Sequence, residues 1–167
     1  MTSAPATDEL AALYVLHYRS LVRLAALLVD DTAACEDIVQ EAYVTLAAGR
    51  RLEQMRDPDA GLAYLRTTVL NLARSSLRRR LVATKYAPLV HHADRIDDSV
   101  VQVVDRTAIV RAMRTLPRRM REAVALRYYA DLSEAQAAEV MGVSAGAVKS
   151  YTSRGLERLG EKLKVTA

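Results

Sequence analysis

The sequence predicts an all-α protein: two small helical domains joined by a flexible linker, the C-terminal one a helix-turn-helix. Three observations carry that prediction. No run shows sustained period-two alternation with turn residues on both sides, so there is no strand signal. Apolar residues recur at intervals of three and four over most of the chain. Between residues 133 and 159, the start and stop signals of two short helices follow one another in order. The expected domains are 8–80 and 106–164, with an acidic linker at 81–105.

The first helix is expected over about 8–29, after Pro5 and a Thr7 cap. Leu10, Leu13, Tyr14, His17, Leu21, Leu24 and Leu28 form its apolar stripe. A second helix begins near Asp31 or Thr32 and ends before Gly49. Its core stripe is Cys35, Ile38, Ala42 and Leu46, so Cys35 reads as a buried, inert thiol and His17 as a core histidine. Asp37, Gln40, Glu41 and Val44 make an adjacent exposed strip. An acidic, amide-bearing strip with one apolar member suits docking to a basic protein helix, and an ordinary solvated helix face reads the same way.

A third helix starts at Asp57-Pro58, a cap followed by proline at the first helical position, and runs to about residue 80. Leu62, Leu65, Val69, Leu72 and Ala73 are its buried face. Opposite them lie Thr67, Asn71, Arg74 and Arg78, with Arg79 and Arg80 extending the positive field. Asn pairs with adenine, and Arg binds phosphate or stacks on an unpaired base. A basic helix C-terminus favoured by the helix dipole is the plainer alternative.

Residues 81–105 hold Pro88, His91, His92, Asp94, Asp97 and Asp98 with no helical stripe. His91-His92 has no third ligand at useful spacing, so no metal is expected. Helical text resumes near Arg106 and breaks at Leu116-Pro117. In the closing unit, Ser133 and Gln136 form a capping box, Gly142 supplies positive φ at the helix end, and Ser144 caps the last helix. That helix places Val148, Tyr151, Thr152, Gly155, Leu156 and Leu159 on one side. Gly146, Lys149, Ser150, Ser153 and Glu157 lie on the other, with Arg154 at the edge. Short donors and a long cation beside a glycine suit close approach to base edges and phosphates, and an ordinary amphipathic surface helix reads the same way.

Charge is distributed in blocks along the 167 residues. Residues 61–90 carry six basic and no acidic side chains, and 106–130 carry seven Arg and one Glu. Between them, 91–105 carries one Arg and four Asp. Two basic surfaces suit a polyanion. A single Cys excludes an intrachain disulfide framework and a Cys-based zinc site. The absence of about 18 uninterrupted apolar residues argues against membrane insertion, and the N-terminus has no secretory pattern. A cytoplasmic protein without cofactors is expected.

Three segments resemble a known family. Asp37-Ile-Val-Gln-Glu41 is similar to the core-polymerase-binding motif of bacterial RNA polymerase sigma factors. Residues 64–80, YLRTTVLNLARSSLRRR, resemble their −10 promoter-recognition helix. Residues 116–133, LPRRMREAVALRYYADLS, with the helix-turn-helix after them, resemble their −35-binding domain. The two-domain length matches the extracytoplasmic-function (ECF) class, in an actinobacterial-type branch.

The resemblance implies roles. Asp37, Gln40 and Glu41 would contact the β′ clamp helices. Thr67, Asn71, Arg74, Arg78 and Arg79 would meet the −10 DNA. Gly146, Lys149, Ser150, Ser153 and Arg154 would read or grip the −35 duplex. The helices of 106–129 would face the β flap, and the linker would run through the polymerase channel. The implied partners are RNA polymerase core through its β and β′ subunits, promoter DNA and an anti-sigma factor. The expected function is that of a promoter-specificity subunit that assists DNA opening and is not an enzyme. One departure stands out: relatives often place Trp where Ser75, Ser76 and Leu77 stand, and stacking on a freed base is worth about 1–3 kcal/mol. Two rivals explain less. A stand-alone regulator has no use for the Asp37–Glu41 strip, and a recombinase needs a catalytic constellation that the first domain does not offer.

Overall fold

The computed structural model describes residues 4–31, 33–49, 55, 57–86 and 108–166, and their regular elements are all helical. Helix α1 spans Ala4–Leu28, starting earlier than expected. Pro5 lies in its first turn, where a missing N–H removes no helical bond, so Thr7 is inside the helix and does not cap it. Leu21, Val22 and Leu24 through Val29 are all buried. The helix is buried on several sides there because it packs on partners from both halves of the chain. Over Thr7–Leu28, α1 has a membrane span's length and composition (mean hydropathy 1.3), but its C-terminal half lies in the core.

Helix α2, Ala33–Ala48, begins where the sequence places it. The Asp31 carboxylate accepts from Ala33 N–H at 3.0 Å, satisfying a donor the helix itself leaves open. Cys35, Ile38, Ala42 and Leu46 are buried as expected, joined by Val39 and Tyr43. The Tyr43 hydroxyl donates to the Leu13 carbonyl at 3.0 Å, and its ring sits 5.1 Å from that of Tyr14. Burial, followed by the neighbouring Tyr14 and Tyr18, pushes the Tyr43 phenol well above its ordinary value.

Helix α3, Pro58–Tyr86, opens on the Asp57 cap, whose carboxylate accepts from Asp59 N–H at 3.0 Å. Leu65, Val69, Leu70 and Ala73 are buried, and Leu62 and Leu72 are half-buried. The helix continues past the expected end at 80, so residues 81–86 belong to it and not to a linker. The rest of the expected acidic linker, including Pro88, His91, His92, Asp94, Asp97 and Asp98, lies outside the described residues. Helices α1, α2 and α3 pack against one another as a three-helix unit.

The second unit comprises α4 (Ala108–Arg114), α5 (Arg118–Val124), α6 (Glu134–Met141) and α7 (Ala145–Thr166). Pro117 sits at the N-cap of α5, ending α4 as the sequence indicates. Helix α5 continues into a π-helical turn over Ala125–Tyr129, closed by Ala130 N–H to Ala125 C=O at 3.0 Å. Helix α7 crosses α5 at Gly155, where a Cβ would lie 2.7 Å from the Val124 Cγ2 methyl.

The two units are not independent heads. Helix α1 packs on α4, α5 and the π turn, and α3 packs on α6. The two expected domains are therefore in contact through these helices.

Candidate nucleic-acid interface

Local chemistry sets the boundaries of the helix-turn-helix. Ser133 Oγ accepts from Gln136 N–H at 3.1 Å, while Ser133 N–H donates to Gln136 Oε1 at 2.9 Å. Gly142 takes the left-handed conformation (φ 68°), and Val143 N–H closes the turn on Ala138 C=O at 3.1 Å. Ser144 Oγ then accepts from Ala147 N–H at 3.1 Å, which starts α7.

Helix α7 divides nearly as expected. Val148, Thr152 and Gly155 are buried, Tyr151 and Leu159 are half-buried, and Gly146, Lys149, Ser153, Arg154 and Glu157 face solvent. Leu156, expected on the buried side, is exposed. Arg154 donates to Ser150 Oγ at 2.6 Å and lies 6.0 Å from the Tyr151 ring centroid, so the helix itself steadies its guanidinium. This face therefore presents two cations, short hydroxyls and a glycine to the outside.

The face on α3 is different. Asn71, Arg78 and Arg79 are exposed, and Thr67 donates its hydroxyl back to Ala63 C=O at 3.0 Å. Arg74 is already occupied. Its Nε and one terminal nitrogen each donate to an oxygen of Glu122 at 2.8 Å, a bidentate pair, and it also reaches Met141 C=O at 3.2 Å. The hydrogen bond to Glu122 outweighs burial and raises the Arg74 pKa further. Glu122 is 2% exposed, with Arg119 at 3.7 Å and Arg118 at 4.0 Å as further cations.

Arg121, the preceding residue, is 5% exposed and reaches in another direction. It donates to Leu27 C=O at 2.6 Å, to Val29 C=O at 3.0 Å and to the Asp30 carboxylate at 2.9 Å. Those carbonyls sit at the negative end of α1, where no further turn satisfies them. Burial lowers the Arg121 pKa, with Asp30 opposing. Nearby, Tyr129 shares a hydrogen bond with Arg23 of α1, and burial raises its phenol.

On α2, Asp37, Gln40, Glu41 and Val44 form one solvent-facing strip, as the periodicity required. Gln40 hydrogen-bonds the Tyr18 hydroxyl; burial nonetheless raises that phenol's pKa. The structure thus keeps the α2 and α7 strips open and splits the α3 set, with Arg74 withdrawn from it. Sequence reasoning missed Arg121 and Glu122. The one available signal was that Glu122 is the only acid among the seven arginines of 106–130.

Comparison with known proteins accounts for both units. The family model for Sigma-70 region 2 matches residues 13–81, and that for Sigma-70 region 4 matches 106–159. RNA polymerase sigma-E factor of Streptomyces antibioticus is 32% identical over 145 residues, covering 87% of this chain and 79% of the relative. The chain is a sigma factor of the ECF class. The ECF sigma factor SigM of Mycobacterium tuberculosis is similarly close, 33% identical over 151 residues, covering 90% of this chain and 75% of that one.

Among solved structures, the sigma factor RpoE in complex with the anti-sigma factor NepR from Bartonella quintana superposes with a TM-score of 0.71. It is 24% identical and covers 94% of this chain and 98% of that one. CnrH in complex with the cytosolic domain of CnrY gives 0.68 at 23% identity, covering 97% and 96%. These two establish a shared fold. In this sigma factor, region 2 is α1 to α3, and region 4 is α4 to α7.

Proposed function

We propose that this sigma factor is the promoter-specificity subunit of a bacterial RNA polymerase, acting in the cytoplasm with the polymerase doing the catalysis. Asp37, Gln40 and Glu41 dock on the β′ clamp helices, with Val44 as the apolar member of the strip. Lys149, Ser150, Ser153 and Arg154 grip the −35 duplex beside Gly146. Asn71, Arg74, Arg78 and Arg79 engage the −10 element, with Thr67 at its edge, and help to hold the opened strand. The helices of 106–129 face the β flap. An anti-sigma protein is a further partner, as in the complexes of the two solved relatives.

The observation that carries this reading is the coexistence, in one chain, of an open acidic strip on α2 and a capped recognition helix with an open basic face. A stand-alone DNA-binding regulator has no use for the first. In vitro transcription tests the whole reading: core polymerase plus this chain on fragmented genomic DNA should give discrete start sites. Within it, Asp37→Ala with Gln40→Ala should weaken core binding by about 2 kcal/mol or more, since each group loses a contact worth roughly 1–1.5 kcal/mol. A pull-down with unchanged core retention, on a chain of unchanged helicity, rejects the α2 assignment.

A further inference from the structure

We propose that Leu81 and Val82, near the end of α3, form an apolar wedge that enters the DNA beside the −10 element and unstacks a base step while the arginines before them hold the phosphates. The inference rests on the −10 reading of α3 and names what the far end of that helix does to the duplex.

The two sides of α3 exchange character along its length. Leu65, Val69 and Ala73 are buried, and the same side continues at helical spacing through Ser76, Arg80 and Ala83. Arg80 and Ala83 are exposed, so the core side turns polar or small where α3 runs past the unit it belongs to. Apolar residues reappear on the opposite side, with Leu81 73% and Val82 56% exposed. At about 100° per residue, these two share an arc of about 100° with Asn71 and Arg78. A helix that merely outruns its core has no use for an apolar side, and a solvated stretch is polar all round. This one presents two aliphatic side chains in line with its exposed amide and guanidinium.

Charge selects what covers them. Residues 61–90 hold six basic and no acidic side chains, and Arg78, Arg79 and Arg80 directly precede the pair. That field attracts a polyanion. An anionic lipid surface has the same sign, but a helix lying on one keeps its cations on the face opposite the apolar one. Here Arg78 shares a face with Leu81 and precedes it by about 4.5 Å along the axis. The spacing is little more than one step between phosphates on a strand, about 3.4 Å. An arginine seated on a phosphate therefore delivers the aliphatic tip to the adjoining base step. Aliphatic side chains inserted at a step partly unstack it and kink the duplex. Val82 suits the task because branching at Cβ leaves it one strongly preferred χ1 rotamer in a helix, so the tip is rigid before DNA arrives.

The test uses holoenzyme assembled from core polymerase and the full chain, on the strongest promoter found by start-site mapping. The template is prepared twice, as a full duplex and with its strands mismatched from the −10 element to the start site. Leu81→Gln with Val82→Gln removes the wedge, and Leu81→Met with Val82→Ile keeps it apolar. Val15→Gln removes a still more exposed aliphatic side chain from α1. The wedge predicts at least about tenfold less transcript from the duplex for the double glutamine variant, with recovery to within about twofold of wild type on the mismatched template. The apolar double variant and Val15→Gln should match wild type on both. Wild-type output from the duplex by the double glutamine variant overturns the wedge. So does an equal loss on both templates, which would make the pair a contact that opens nothing. Lost helicity by circular dichroism, or lost retention on core polymerase, also overturns it, because the pair would then serve the fold or the polymerase. Binding of the free chain to phosphatidylglycerol vesicles that the double glutamine variant loses, with duplex transcription unchanged, assigns the face to a membrane instead. Asn71→Ala with Arg78→Gln tests the −10 reading by itself: full activity on both templates removes that reading, whatever the wedge variant does.

Discussion

The two basic helical faces of this sigma factor are built from similar residues and stand in opposite states. On α7, Lys149, Ser153 and Arg154 look outward, and Arg154 leans only on its own helix through Ser150. On α3, the central cation, Arg74, is saturated by an acid 48 residues away in sequence. The difference teaches that charge count does not measure available charge. The basic stretch 106–130 makes the same point. Arg121 is buried as a helix terminator, and Arg119 and Arg127 donate to the carbonyls of Met141 and Leu132. The stretch is better described as structural glue with an exposed margin at Arg111 and Arg118.

The largest expected effect comes from Arg121→Ala. It strips three acceptors at the end of α1 and leaves a void between the units, a loss of about 3 kcal/mol in urea unfolding. Asp30 is nearly half exposed and resolvates, which keeps the figure from being larger. An effect below about 1 kcal/mol would mean that the α1–α5 contact is not a feature of the chain in solution. Next is Gly155→Ala, which breaks region 4 alone. Its Cβ meets the Val124 methyl at 2.7 Å and Met120 C=O at 3.3 Å, so overpacking of about 1–3 kcal/mol exceeds the helix-propensity gain of about 1 kcal/mol. Gly61→Ala is the matched change in region 2. There the nearest atom is the far end of the Leu13 side chain at 2.8 Å, which can rotate, so near-neutral stability is expected by the same denaturation assay.

Tyr43→Phe sharpens the comparison from the region 2 side, at about 1 kcal/mol for the lost bond to Leu13 C=O. It also carries a pH signature. The folded phenol titrates above its unfolded value near 10, so the stability it supplies is complete below that pH and is lost as pH rises beyond it. The variant's stability curve should fall less steeply above pH 10 than that of wild type; parallel curves would contradict the assignment. The smallest effect belongs to the open face. Lys149→Ala and Arg154→Ala should each flatten the slope of log K against log salt by about 0.9 on −35 duplex DNA. If the slope stays the same, those cations do not sit on phosphates.

What the sequence made legible was local. The Ser133–Gln136 capping box, the left-handed Gly142, the Ser144 cap, the Asp57-Pro58 start and the α2 strips depend on residues within one helical turn, and each is where the spacing placed it. The family segments were legible for the same reason. Leu70, buried although off the expected stripe of α3, and Leu156, exposed although on that of α7, mark where neighbouring helices shift the boundary of a face. The Arg121 contacts span more than 90 residues, and no periodicity encodes them. Arg74 reads identically whether its fork will meet a phosphate or a carboxylate. The end of α3 at Tyr86 was missed because the text after Arg80 has no stripe to extend, and a helix emerging from a packed unit needs none.

The way α1 finishes bears on how this molecule can be dissected. Its last carbonyls are closed by a guanidinium supplied from the far half of the polypeptide. A fragment cut after residue 86 would therefore inherit an unfinished edge, with Leu27 and Val29 laid open to water and to other copies. Poor behaviour of such a piece would report the missing stopper rather than any intrinsic weakness of the three-helix unit, and supplying residues 108–166 in trans should restore it.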